Sequence, residues 1–315
     1  MLVIVAPGQG AQSPGFLQPW LEVPGFAERL DALSTVAGLD LAHVGTEADA
    51  ETIRQTQVAQ PLLVATGLLV GLDLAPTDAP GVVGALAGHS VGELTVAGLS
   101  GALSTEDAVR LVRERGEAMA DAAAATPTSM TAVLGGDRDE VLAAIAAHGL
   151  TPANDNGPGQ IVAAGTVEQL AAFAETPPAK ARLIPLSVAG AFHTDHMAPA
   201  VARVEVLAAS VSPRDPHTRL VSNSDGQVVT TGSDVLARIV AQISRPVRWD
   251  LCMATMVELG VTGLLELPPA GTLTGIAKRA MKGVETFALK TPDQLDDARA
   301  FLARHGDTDP KGYRG

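Results

Sequence analysis

Two rhythms of apolar residues divide the chain. In the first part, short continuous apolar runs alternate with longer stretches whose apolar residues recur every three or four positions. LVIVAP (2–7) reads as a buried strand, helices follow to about residue 75, and GVVGALAG (81–88) reads as a second strand. TEDAVRLVRERGEAMADAAA (105–124) has apolar residues at helical spacing and is expected to form a helix capped by Thr105. Strands and helices in alternation predict an α/β sheet covered by helices. Past residue 127 the rhythm changes. SMTAVLGG (129–136) predicts a strand, DRDEVLAAIAAHG (137–149) a helix closed by Gly149, and ANDNGPGQIVAAG (153–165) two short strands about a turn. TVEQLAAFAE (166–175) then predicts a helix and ARLIPLSVAG (181–190) a last strand. The order β-α-β-β-α-β is that of a ferredoxin-like unit. The chain is therefore divided into a large α/β subdomain, residues 1–126 and 191–315, and an inserted ferredoxin-like small subdomain, 127–190. HMAPAVARVEVLAAS, SDVLARIVAQIS, VTGLLELPP and GTLTGIAKRAMKG return to helix and strand, and the polar HGDTDPKGYRG predicts a frayed end.

Composition narrows the setting. The 315 residues are 46% hydrophobic but only 3% aromatic, so the core is built from Ala, Leu and Val. No run of about 18 uncharged apolar residues suggests a membrane span. The start, MLVIVAPGQG, lacks a basic n-region and breaks at Pro7-Gly8, which predicts a buried strand and not a signal peptide. A single cysteine, Cys252, excludes an internal disulfide and fits a reducing cytoplasm. Within DLCMATMVELG it reads as a packed small residue. A formal net charge of −13 argues against nucleic acid or an anionic membrane surface as partner. No His/Cys/carboxylate cluster has metal-ligand spacing, so no metal is expected.

The chemistry centres on LAGHSVGEL (86–94). A strand that turns directly into a helix with Gly-x-Ser-x-Gly at the corner is a nucleophile elbow. Glycine on both sides lets the backbone turn sharply, which exposes the Ser90 hydroxyl and aims free helix N–H groups at whatever it attacks. Glu93 falls in the first helical turn, where the dipole favours an anion. A serine needs a base. Of seven histidines, His89 neighbours Ser90 and points to the opposite face, His148 ends a helix, and His43, His217 and His305 fall in loops, a turn and the tail. His193, at a strand end in GAFHTDHM with Thr194 as cap, is the expected base; His196 lies inside the following helix. Asp121, Asp137 and Asp155 offer no local reason to prefer one as the third member, and Asp195 is too close to His193 to orient its ring.

Eight stretches, in order and spanning nearly the whole chain, resemble the malonyl-CoA:acyl-carrier-protein transacylases of fatty-acid and polyketide synthesis. They are GQGAQ (8–12), TQVAQPLL (56–63), GHSVGEL (88–94), RERGEAM (113–119), NDNGPGQIVAAG (154–165), GAFHT (190–194), RPVRWD (245–250) and ELPPAGTLTG (266–275). The resemblance implies an α/β-hydrolase-like large subdomain with a ferredoxin-like insertion. It also implies that a main-chain carbonyl orients the histidine, and assigns this to Arg248. The backbone N–H groups of Gln9 and Val91 become the oxyanion donors. Arg115, which helix periodicity alone would leave solvated, becomes the group that grips the free carboxylate of a malonyl unit, and Phe192 and Met119 bound the pocket. Gln60 resembles a pocket residue, or is a helix-start glutamine before Pro61; Asn156 resembles a polar residue near the site, or is a turn asparagine before Gly157. GAFH differs from the YASH-like stretch of methylmalonyl-selective relatives, which favours an unbranched malonyl group.

The implied reaction is ping-pong. Malonyl-CoA acylates Ser90, and the phosphopantetheine thiol of an acyl carrier protein takes the malonyl group, with no bound cofactor, in the cytoplasm and by a monomer. An acidic carrier protein needs a basic island, for which Lys278, Arg279 and Lys282 are candidates. A serine hydrolase or thioesterase, a non-catalytic docking module and a polyketide acyltransferase with another extender unit are the competing readings.

Overall fold

The computed structural model describes residues 1–75, 82–188 and 190–306. The predicted frayed tail beyond residue 306, Gly81 of the elbow strand and Ala189 lie outside them. Eleven strands occur among the described residues: β1 (Leu2–Ala6), β2 (Ala85–Gly88), β3 (Thr128–Gly135), β4 (Thr151–Asp155), β5 (Gln160–Thr166), β6 (Ala181–Pro185), β7 (Arg219–Val221), β8 (Val228–Val229), β9 (Val247–Arg248), β10 (Gly263–Glu266) and β11 (Glu285–Ala288). They form two sheets, in the orders β11-β10-β1-β2-β7-β8 and β6-β3-β5-β4-β9.

The first sheet is parallel except for the edge pair β7–β8. Its central strand β1 is buried along its whole length because helices cover both faces. Leu2, Ile4 and Ala6 point into one core, packed with helices Phe26–Ala37, Thr56–Leu74 and Thr105–Ala125. Val3 and Val5 point into the other, with helices Trp249–Glu258 and Thr272–Ala280. Thr56–Leu74 is a long, largely apolar helix whose apolar run is interrupted by Gln57, Gln60, Thr66 and Asp73. By length and composition it could cross a membrane, but it is mostly buried inside the molecule. A helix apolar all round belongs in a core, and this one packs against Thr105–Ala125 and Gly92–Leu99.

The second sheet carries the βαββαβ order expected of residues 127–190. β3 pairs antiparallel with both β5 and β6, and β4 with β5, which gives the ferredoxin-like order. Helices Arg138–Ala147 and Val167–Glu175 cover one face around Ile145, Ile161 and Phe173. The other face, with Met130, Ala132 and Val162, joins the main core. A fifth strand comes from outside the insertion: β9 pairs parallel with β4 through Asn154↔Val247 and Asp155↔Arg248. Ion pairs follow the same seam, with Arg138 on Asp155 at 2.6 Å and Arg248 on Asp250 at 2.7 Å.

Three local expectations shift. Ser104, not Thr105, caps the long helix, accepting from Asp107 N. The strand expected over 181–190 stops at Pro185, so His193 follows a loop and not a strand end. His43 lies in a short helix, Leu41–Thr46.

Backbone contact fixes the corner after β2. A Cβ on Gly92 would lie 2.4 Å from the Ala6 carbonyl oxygen, and one on Gly88 would lie 2.0 Å from the Gly92 carbonyl carbon. Neither neighbour is a flexible side-chain end. Gly92→Ala is therefore expected to cost about 3 kcal/mol, at the upper end of overpacking effects; an unchanged urea midpoint would show that the corner can relax.

Candidate active site

The elbow is built by strand, turn and helix in succession. β2 ends at Gly88, His89 N donates to the Ala6 carbonyl at 2.9 Å, and Glu93 N donates to the Ser90 carbonyl at 3.0 Å as the helix begins. Ser90 has φ 53°, a left-handed conformation that side chains rarely adopt. His193 is also left-handed, at φ 61°, and its N–H donates to the Ile243 carbonyl at 3.2 Å. Thr194 caps the short 3-10 turn Asp195–Met197, as expected, and Oγ1 also donates to the Ala191 carbonyl at 2.6 Å.

His193 Nε2 lies 2.8 Å from Ser90 Oγ. On the other side of the ring, Nδ1 lies 2.8 Å from the Gln242 carbonyl oxygen. A carbonyl only accepts, so Nδ1 carries the proton and Nε2 is left to receive the serine proton. This corrects the assignment of Arg248 as the orienting carbonyl. Arg248 lies in β9, its N–H donates to the Asn223 carbonyl at 2.8 Å, and its guanidinium is held by Asp250 at 2.9 and 2.7 Å. The orienting group comes from the 3-10 turn Gln242–Ser244, where a helix end exposes its carbonyls. None of the aspartates considered serves the ring. Asp121 pairs with Arg203, Asp137 caps a helix, Asp155 holds Arg138, and Asp195 opens the turn after His193.

Burial pushes His193 down to about 3, reinforced by the positive charge of Arg115 and opposed by the Gln242 carbonyl. The imidazole is therefore neutral, and a base, at any ordinary pH. Arg115 itself is 2% exposed. Desolvation lowers it to about 10, with Glu93 opposing, so it stays charged at neutral pH. Its Nη1 donates to Gln60 Oε1 at 2.6 Å and its Nη2 to Ser90 Oγ at 3.2 Å and Gln242 Oε1 at 3.4 Å. Gln60 lies inside the helix Thr56–Leu74, and its Nε2 faces Gln9 Oε1 at 3.4 Å and Met119 Sδ at 3.5 Å. The Gln9 side chain in turn donates to the Arg54 carbonyl and to Thr56 Oγ1, both at 3.3 Å.

A cavity of about 240 Å³ opens over the serine, between the two sheets. Gln9, Gln60, Ser90, Met119, Asn156, Phe192 and His193 line it, together with Met130, Val162, Leu273 and Ile276. Arg115 sits one layer behind, under Ser90 and Gln60. Asn156 is both turn residue and wall: its N–H donates to the Gln160 carbonyl at 3.0 Å and its Oδ1 meets His89 Nε2 at 2.9 Å. His89 also packs edge-on against Trp249, and burial keeps it below the usual imidazole range. Val91 follows the serine; among the described residues no acceptor faces its N–H or that of Gln9.

Other residues depart from expectation or were not foreseen. Glu93 stands in the first turn of the helix Gly92–Leu99, as expected, but is buried; burial raises it to about 7, while Oε1 accepts from Asn223 N at 2.8 Å. His305 ends the helix Leu295–His305 and meets Glu285 at 2.9 Å, so it is not in a tail. Cys252 is fully buried and pushed well above the usual thiol range, in keeping with a packing role. No group of three or more potential metal ligands occurs among the described residues. Gln242 and Asn223 were missed. Gln242 ends an amphipathic helix, and Asn223 sits in SNSDG, which reads as an ordinary turn.

Residues 3–309 match the acyl transferase domain family. The malonyl CoA-acyl carrier protein transacylase of Mycobacterium tuberculosis is 49% identical over 298 residues, 94% of this chain and 99% of that protein. That of Bacillus subtilis is 33% identical over 97% of this chain and 98% of its own length. Among solved structures, the MCAT crystal structure from Mycobacterium tuberculosis superposes with a TM-score of 0.91 at 49% identity, covering 95% of this chain and 99% of that one. A malonyl-transacylase solved in complex with a type II PKS acyl-carrier protein superposes at 0.86, with 28% identity over 95% of this chain and 99% of its own. The chain belongs to the acyl transferase domain family, and within it to the malonyl CoA-acyl carrier protein transacylases.

The low position of His193 gives a test independent of substrate. The base is lost only as pH falls through the folded value, near 3, and not through the ordinary imidazole range. Reaction of Ser90 with a sulfonyl fluoride should keep its neutral-pH rate down to pH ~5. A rate that halves near pH ~6.5 would place the imidazole in an ordinary aqueous setting.

Proposed function

We propose that this protein transfers the malonyl group of malonyl-CoA to the phosphopantetheine thiol of an acyl carrier protein through a malonyl-Ser90 ester. The observation that carries the reading is a buried, charged guanidinium 3.2 Å from a serine that also faces a neutral imidazole at 2.8 Å. A hydrolase needs the serine and base but not a buried cation beside them; a diacid substrate needs all three.

His193 takes the Ser90 proton as Oγ attacks the thioester carbonyl, and returns it to the departing CoA sulfur. In this reading the backbone N–H groups of Gln9 and Val91 receive the developing oxyanion, each worth roughly 3 kcal/mol in comparable sites. The waiting ester carries a free carboxylate, which competes with Ser90 Oγ and Gln60 Oε1 for the Arg115 N–H groups. A planar guanidinium offers it two parallel hydrogen bonds. Neutralising Arg115 also removes one cause of the depressed His193, so the base strengthens when a diacid is bound. The thiol of the carrier protein then reverses the sequence. A neutral carbonyl behind His193 stabilises the imidazolium less than a carboxylate would, which suits a thiol acceptor better than water.

Met119 and Phe192 bound the acyl end of the cavity, and the insertion 127–190 supplies its opposite wall through Met130, Val162 and Asn156. Lys278 and Arg279 lie exposed in the last turn of the helix Thr272–Ala280, whose first turns line the cavity, and Lys282 follows it. They offer an acidic carrier protein a basic rim, which reversing their charge tests through the carrier-protein KM. We place the protein in the cytoplasm, acting as a monomer.

Brief exposure to malonyl-CoA should add one malonyl mass to the intact protein and none to Ser90→Ala. Addition of carrier-protein thiol should then yield malonyl-thioester; free malonate in its place would make the protein a thioesterase. Arg115→Ala should lower kcat/KM for malonyl transfer at least ~100-fold, the scale for unpairing a buried charge, and acetyl transfer much less. Equal losses for the two acyl groups would remove Arg115 as carboxylate clamp.

A further inference from the structure

Asn223 follows β7, is 0% exposed, and forms no part of the cavity wall. Every polar atom it has is engaged. Nδ2 donates to the Gly88 carbonyl at 2.7 Å, and Oδ1 accepts from Ser90 N at 2.8 Å. The same Oδ1 accepts from Gln242 Nε2 at 2.9 Å. Its backbone N–H donates to Glu93 Oε1 and its carbonyl accepts from Arg248 N, both at 2.8 Å. One amide therefore grips the elbow on each side of its bend and joins it to Gln242.

Gln242 is the other half of the arrangement. Its carbonyl holds His193 Nδ1, and its side chain lies between Asn223 and Arg115, donating to the first and accepting from the second. Ser90 and His193 belong to segments more than a hundred positions apart, and both stand on left-handed backbone. Neither conformation is self-supporting. The Ser90 N–H, turned away from the helix by that conformation, would lack a partner without Asn223 Oδ1. Only an amide meets all of these demands at once. A carboxylate cannot donate to Gly88, and an alkyl chain of similar shape can neither donate nor accept.

We propose that Asn223 is a positioning residue for the transfer reaction, holding the Ser90 elbow and the Gln242 carbonyl that orients His193 in one rigid frame. The proposal rests on the reading of Ser90 and His193 as the reacting pair. Asn223 touches no substrate, so its loss should appear in turnover and not in affinity.

The test compares Asn223→Ala, Gln242→Met and the double variant in malonyl transfer to carrier protein, with Ser90→Ala in parallel and folding followed by circular dichroism. Asn223→Ala should lower kcat about 100-fold, the scale of a displacement near 1 Å at reacting groups, with KM for malonyl-CoA within about threefold. Gln242→Met should lower kcat at least about tenfold, and the double variant little further than the more impaired single one, because both act through one frame. A folded Asn223→Ala with kcat within about threefold of wild type overturns the proposal, as does a loss seen in KM or losses that multiply. If Asn223→Ala does not fold, Gln242→Met decides: unchanged kcat in that variant overturns it. Activity surviving in Ser90→Ala would instead remove the serine reading itself, whereas loss there with retention in Asn223→Ala removes only the role of Asn223.

Discussion

The structure depends on how closely two pieces of backbone approach at the end of the central sheet. β1 and β2 lie side by side, and the helix that leaves β2 passes so near the Ala6 carbonyl that only a hydrogen atom fits on Gly92. That contact sets the angle of the corner, and the corner forces Ser90 into its left-handed conformation. Everything else in the site is arranged around a hydroxyl whose position is fixed by packing in the interior and not by a flexible loop. The core on both faces of β1, with Leu2 and Ile4 on one side and Val3 and Val5 on the other, keeps the corner from relaxing.

Around that point the chemistry is arranged by charge and burial. An imidazole, a guanidinium and a carboxyl group, Glu93, lie within one buried region, and each is displaced from its aqueous behaviour in the direction burial dictates. The guanidinium remains charged and the imidazole remains neutral. A guanidinium charge in a desolvated setting, only partly offset by Glu93, favours a ligand that brings a negative one, and the same charge withholds basicity from His193 until it is matched. In the function proposed above, selectivity and reactivity are two effects of one group.

How much of this the sequence disclosed varies with how local each feature is. The elbow was legible because strand, turn and helix are adjacent in the chain and glycine has few other reasons to stand on both sides of a serine. The βαββαβ order of 127–190 was legible because each element carries its own periodicity. Ser90, His193, Arg115, Gln60 and Gln9 do come together in space, although Arg115 stands behind the wall and not in it. The orienting carbonyl was misplaced at Arg248 because a main-chain oxygen leaves no trace in side-chain identity; which carbonyl faces a ring is decided by where a helix unwinds. Asn223 was invisible for a related reason. An asparagine in a polar turn looks like turn chemistry, and only the fold reveals that Ser90, Gly88 and Gln242 all converge on its amide. The helix Thr56–Leu74 shows what hydropathy leaves open, since an apolar helix of this length is a core helix or a spanning one by composition alone, and only its burial decides.

The two-residue ladder between β4 and β9 has a bearing on modularity. Although 127–190 has the element order of a free-standing unit, its sheet is completed by Val247 and Arg248, which come from the part of the chain beyond the insertion. Excised at its sequence boundaries, the lobe would present β4 as a bare edge and leave the Arg138–Asp155 pair without Arg248 and Asp250 beside it. Swapping acyl-pocket walls between relatives therefore calls for a graft in two pieces, with the stretch around 245–250 travelling alongside the insertion.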